Sequence, residues 1–108
     1  LIMRAEIEKI ITSLGISESL LGYKYICLAV EMALDDEEII NNMIDRLYPA
    51  VATSYGKTAS SVERAMRHAI FTSWNKGNRV ICSAFEKKPD NFHLIRYIVN
   101  AVNRNRPM

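Results

Sequence analysis

With 108 residues, 49% of them hydrophobic, and only two cysteines, the chain is long enough to close one core without metals or disulfides and too apolar for a disordered tail. No apolar run approaches the ~20 residues of a membrane span and no signal peptide is visible, which argues against a membrane protein and points to the cytoplasm. The net charge of +2 is unevenly spread: residues 1–48 carry four basic and nine acidic side chains, residues 49–108 ten basic and three acidic, so a polyanion is attracted to the second half and repelled by much of the first. The chain begins at Leu1 with no methionine, as expected of a fragment of a longer protein.

Met3, Ile7, Ile10, Ile11 and Leu14 recur at helical spacing, Glu6 and Glu8 fall on other faces, and Gly15 stands where such a helix stops. Ser17 is placed to cap a second helix running to about Leu34, although Gly22 weakens its first turn. Leu21, Tyr25, Leu28 and Met32 form one stripe, with Ile26, Val30 and Ala33 beside it; so wide an apolar surface implies burial on more than one side. Asp35 and Asp36 offer the next N-cap, and Glu37 and Glu38 complement the dipole of a helix that carries Ile39, Ile40, Met43, Ile44 and Leu47 inward. Capping accounts for the whole acidic run, and with no histidine near it no metal site is expected there.

The chain then turns twice. Pro49 disfavours the α region for Tyr48, which predicts a helix end there and a new start with Pro49 as first residue. A short helix to about Tyr55 follows, and Gly56 can take the left-handed conformation that ends it. Thr58 or Ser60 caps the next helix, Ser60 forming a capping box with Glu63, and this helix has room to reach about Asn75 before Lys76 and Gly77 stop it. Ala52 and Gly56 supply the small residues that two steeply crossing helices need, with Val51, Tyr55, Val62 and Met66 placed to be buried between them. An ordinary helical hairpin shares these features; what separates this pair from one is the outer face of its second helix. Ser60, Ser61, Arg64, Arg67, His68 and Phe71 fall on one stripe, opposite Val62, Ala65, Met66, Ala69, Ile70 and Trp74. The pattern is that of a DNA-binding helix-turn-helix at about residues 49–75, its second helix (about 59–75) lying in the major groove. Arg64 and Arg67 are candidates for base edges, arginine being able to pair bidentately with guanine. His68 can bond a base or a phosphate, and Glu63 either accepts from a cytosine amino group or serves the capping box. Lys57, Thr58, Ser60 and Ser61 are candidates for the phosphate backbone.

Residues 79–86 predict a short helix burying Val80, Ile81, Ala84 and Phe85, and Glu86 to Pro89 a loop. Asp90 or Asn91 caps a last helix with Leu94, Ile95, Ile98, Val99 and Val102 inward, while Arg104 and Arg106 lie in a fraying tail. Cys27 and Cys82, with no CxxC pair, are read as small core hydrophobes. No strand alternation or internal repeat appears, so the fold class is all-α: a compact bundle of about six or seven helices in one domain, residues 1–108. Without a Gly-rich phosphate loop or a cluster of nucleophile, base and acid, neither an enzyme nor a bound cofactor or metal is expected.

The runs GYKYICLAV, LYPAVA and above all KTASSVERAMRHAIFTSWNKGN, with KPDN before the last helix, resemble the C-terminal effector domain of the sporulation stage-zero A response regulators of endospore-forming bacteria. The recognition helix of that family reads T-A-S-R-V-E-R-A-I-R-H-A-I before a tryptophan and a Gly-Asn. The resemblance extends from about Ile7 to Val102. It implies sequence-specific binding of double-stranded DNA in transcription regulation, with Glu63, Arg64, Arg67 and His68 at the DNA. It further implies copies bound head to tail in tandem and a phosphorylated N-terminal receiver domain of a two-component system. Three departures stand out. Ser61 replaces a basic residue, Phe71 replaces a charged one, and the loop between Phe85 and Pro89 is shorter by several residues. They are expected to remove a contact at Ser61, to pack Phe71 against a neighbour and to lose backbone contacts from the loop. The alternative reading is a diverged helical protein-interaction domain that has lost operator binding and uses Phe71 and the acidic N-terminal half as a partner surface.

Overall fold

Among the described residues there are six α-helices: α1 (Ile2–Ser13), α2 (Leu21–Asp35), α3 (Tyr48–Tyr55), α4 (Ala59–Asn75), α5 (Arg79–Ala84) and α6 (Asn91–Arg104). The computed structural model describes residues 2–105, and no strand occurs among them. The Met3 side chain and Arg106 lie outside the described residues.

The central element is α2, which packs against α1, α4 and α6. Its buried arc contains Gly22, Tyr23, Tyr25, Ile26, Cys27, Ala29, Val30 and Ala33. Burial on more than one side was legible, but the arc is rotated from the stripe of large side chains: Leu21 is 53% exposed and Leu28 and Met32 are half-buried. The reason is Gly22. A Cβ there would lie 2.3 Å from the Ala65 carbonyl oxygen and 2.7 Å from the Ala69 Cβ, so α2 and α4 touch backbone to backbone where α2 has no side chain. Gly22 does not weaken the helix start; it makes the crossing possible. Ser17 does not cap α2 either. Its hydroxyl oxygen takes the Ser19 amide at 3.2 Å and pairs with the Ser19 hydroxyl at 2.7 Å, and α2 begins after an extended Leu20 that makes no side-chain cap. Burial pushes the Cys27 thiol up to about 11, that of a structural rather than a reactive cysteine.

Between α2 and α3 the expected regular helix is replaced by a 3₁₀ segment, Glu37–Asn42, and a π segment, Met43–Leu47. Asp36 caps the first, its carboxylate accepting from the Glu38 amide at 3.1 Å. No break occurs before Pro49: Leu47 and Tyr48 both keep α-region backbone, and the Tyr48 amide reaches back to the Met43 carbonyl. The wider π turn accounts for this, since it displaces the carbonyl that the proline ring would otherwise strike. Tight and wide turns also shift the side-chain phase. Ile39, Ile40 and Leu47 are buried as expected, while Ile44 is 78% exposed.

The turn joining α3 to α4 is Gly56, Lys57 and Thr58. Gly56, at φ 65°, donates to the Thr53 carbonyl at 3.3 Å and Lys57 to the Ala52 carbonyl at 2.9 Å, the paired bonds of a Schellman cap that requires a left-handed residue. Thr58, not Ser60, caps α4: its hydroxyl oxygen accepts the Ser61 amide at 3.1 Å. Ser60 already lies inside the helix, so the capping box with Glu63 does not form. Val51, Ala52, Val62, Met66, Ala69 and Ile70 are buried where the two helices meet the core, and Trp74 is half-buried. At the far end of α4 the buried Ser73 hydroxyl donates to the Leu14 carbonyl.

Asn78 caps α5, which buries Ile81 but leaves Val80 41% exposed and Cys82 at the surface; a helix of under two turns has one inward position, and Cys82 is not a core residue. Asp90 caps α6 through the His93 amide at 2.8 Å, and Leu94, Ile95, Ile98, Val99 and Val102 are all buried. The helix holds through Arg104. Asn91, its first residue, is 7% exposed and donates from Nδ2 to the Tyr48 hydroxyl at 3.0 Å and to the Glu63 carbonyl at 3.2 Å. One amide thereby ties α3 and α4 to α6, although its Oδ1 is buried without a partner. Burial raises the Tyr48 phenol above its ordinary value.

Two stability outcomes are expected. Gly22→Ala would gain about 1 kcal/mol of helix propensity, but the clash is with a backbone atom that has no rotamer to yield and costs about 1–3 kcal/mol. The denaturation midpoint should therefore fall. Asn91→Ala should cost about 1–3 kcal/mol by removing the two bonds that tie α3 and α4 to α6, and Asn91→Asp at least as much, since a carboxylate has no donor for the Glu63 carbonyl; urea melts of the two variants decide the point.

Candidate nucleic-acid interface

Helix α4 is two-faced. Val62, Met66, Ala69, Ile70 and Ser73 are buried, whereas Ser60, Arg64, Arg67, His68 and Phe71 are exposed and Glu63 and Ser61 half-exposed. Because residues three and four apart neighbour each other on a helix, Glu63, Arg64, Arg67, His68 and Phe71 make one continuous outer patch. Its position is fixed from below, by the Gly22 crossing, the Ser73 bond to Leu14 and the Asn91 bond to the Glu63 backbone.

Within the patch Glu63 and Arg67 pair with each other: Arg67 Nε lies 2.9 Å from Glu63 Oε2 and a terminal nitrogen 3.4 Å from Oε1. This hydrogen bond, with the charge behind it, raises the Arg67 pKa above its ordinary value, so the guanidinium is a fixed cation. The Glu63 carboxylate is thus engaged, but by Arg67 rather than by a capping box. Arg64 and His68 stand exposed beside the pair.

The backbone candidates gather at the turn. Lys57 is exposed and Thr58 and Ser60 flank the N-terminus of α4. Thr58 accepts the Ser61 amide and keeps its hydroxyl hydrogen for an outside acceptor, while Ser61 donates its own to the Thr58 carbonyl at 2.9 Å. Ser61 therefore has to turn before it can donate to a phosphate. The first amides of a helix lack internal partners and sit at the positive end of its dipole, which adds to the attraction for an anion here.

Two residues at the patch were not picked out by sequence. Lys88, from the loop before α6, places Nζ 5.8 Å from the Phe71 ring centroid, and Arg64, Arg67, His68, Phe71 and Lys88 together line a hollow of about 320 Å³. Phe71 was expected to pack against a neighbour instead of facing water; it stays 47% exposed, and the side chain that approaches it is a cation. Asn91 was read as a possible cap; only its burial shows it to be the support beneath Glu63. Neither role leaves a local signal, since each depends on where the 86–90 loop runs.

The patch offers hydrogen-bond donors and positive charge, the equipment for phosphates and base edges. Among the described residues no group of three or more His, Cys, Asp or Glu is placed to hold a metal, and no helix is long and apolar enough to cross a membrane. Residues 7–102 match the family described as sporulation initiation factor Spo0A C terminal. The match spans most of the 108 residues, and the chain belongs to this family of DNA-binding sporulation effector domains that regulate transcription.

Proposed function

We propose that the chain is a sequence-specific reader of double-stranded DNA, with α4 lying in the major groove. The observation that carries this is the opposition on α4 of a buried apolar stripe and an exposed stripe holding Arg64, Arg67 and His68, on a helix anchored along its length. The major groove is about 12 Å wide and admits such a helix. Arg64 and Arg67 read base edges, Glu63 accepts from a cytosine amino group, and His68 bonds a base or an adjacent phosphate. Lys57, Thr58 and Ser60 hold the backbone, Ser61 joining them once its hydroxyl turns. An exposed ion pair is weak in water, so the Glu63–Arg67 pair opens readily on docking. The whole chain is read as one effector domain of a longer response regulator. It acts in the cytoplasm under a receiver domain, and copies bind in tandem, as the family resemblance implies.

Selection from random duplexes should recover a consensus, single or tandem. Arg64→Ala should lose about 1–3 kcal/mol of specific binding and relax preference at one base position, while Lys57→Ala weakens all sequences about equally. Glu63→Gln should strengthen binding to arbitrary duplexes, a negative charge having gone from the face, while relaxing preference where Glu63 read. Unchanged affinity and preference in Arg64→Ala would mean that the reading face is wrongly assigned. A protein-interaction domain that has lost operator binding would give no specific complex at moderate salt.

A further inference from the structure

We infer that Phe71 and Lys88 form a phosphate clamp that extends the face of α4 onto the DNA backbone. The inference rests on the DNA-binding reading above and names a contact that the reading does not contain. Phe71 lies one turn beyond Arg67 and His68 on the same stripe and is 47% exposed, so its ring is open to a side chain from the neighbouring loop. Lys88 approaches it, its ammonium at 5.8 Å from the ring centroid, within cation–π range. The lysine backbone is held as well: Pro89 is buried and Asp90 caps α6, so the loop is drawn against α4 immediately after Lys88. The hollow of about 320 Å³ is then walled by Arg64, Arg67, His68 and Lys88 around the ring, and the neighbouring carboxylate, Glu63, is paired with Arg67 in the free chain.

With Arg64 and Arg67 turned to base edges on docking, Lys88 is the cation of this hollow left to meet a tetrahedral oxyanion of the backbone. A lysine binds phosphate as a point charge, and its usual handicap is the freedom of its stem, which binding must freeze. The ring of Phe71 restricts that freedom before DNA arrives, so the ammonium is presented beside the groove that α4 enters. Phe71 acts through Lys88 and makes no base contact of its own.

Salt titrations of duplex binding test this on the whole chain. Lys88→Ala should lower the slope of log affinity against log salt by about one and weaken every duplex alike, on the order of five- to tenfold at 0.1 M salt. Lys88→Arg should restore both. Phe71→Leu keeps an apolar side chain and should weaken binding roughly two- to fivefold, but should add nothing in a Lys88→Ala background. A wild-type slope in Lys88→Ala overturns the clamp; if Arg64→Ala still loses specific binding in the same assay, the reading of α4 stands without it. An undiminished Phe71→Leu effect in the Lys88→Ala background overturns the ring's role as the holder of Lys88. Absence of salt-dependent duplex binding by the wild-type chain overturns both readings together.

Discussion

The proposed reading face depends on where α4 sits, and α4 sits where it does because α2 has no side chain at Gly22. A Cβ at that point would come within 2.3 Å of the Ala65 carbonyl, so the two backbones are in van der Waals contact through Gly22, Ala65 and Ala69. Around this contact Val62, Met66, Ala69 and Ile70 fill the core. Two polar bonds then fix the ends. Ser73 satisfies the carbonyl of Leu14, in the turn that closes α1, and Asn91 binds the second lone pair of the Glu63 carbonyl. Close packing sets the depth and angle of α4 and the polar bonds resist sliding and rotation, which is the stiffness a reading element needs.

What could be read in the sequence is what acts locally. Caps and periodicity work within about four residues, so the Gly56 turn, the caps at Asp36 and Asp90 and the inner faces of α4 and α6 were legible. Glycine at position 22 is the opposite case. Local propensity marks it as a weakness in α2, whereas its use is decided by a helix more than forty residues away in sequence. The 3₁₀ and π segments were hidden for a related reason: a regular helix through Ile44 fits the apolar pattern, but the chain must also enter α3 across Pro49, and the π turn meets that need while leaving Ile44 outside. Cys82 and Val80 were placed inward by composition alone, on a helix too short to bury them.

At the site, the stripe of α4 was legible and its internal pairings were not. Spacing alone brings Glu63 and Arg67 to the same face, but it equally allowed Glu63 to reach back to Ser60. The competition was decided at the turn, where Thr58 took the cap and left Ser60 two positions into the helix. With its N-terminal partner gone, the carboxylate turned to the guanidinium four residues on. The loop contacts of Phe71 and Asn91 were out of reach of any periodicity, because they come from a chain segment whose path is set by Pro89 and α6.

The Glu63–Arg67 pair has a further consequence for selectivity. In water each group is well hydrated and the pair is close to break-even, so holding it shut costs a docking helix little. Inside a groove the balance changes: a carboxylate stripped of water and left facing phosphates is strongly penalised unless a donor meets it. A cytosine amino group is such a donor, and a guanine paired with that cytosine offers the acceptors that Arg67 needs. On docking as proposed, opening the pair at a G·C step replaces one set of charge-assisted bonds by another, whereas opening it elsewhere strands Glu63. On the same proposal, attraction to the backbone by Lys57 and Lys88 would act at every sequence alike, and the carboxylate would supply the repulsion that makes wrong sites worse. A face built only of cations would bind DNA more tightly and read it less well.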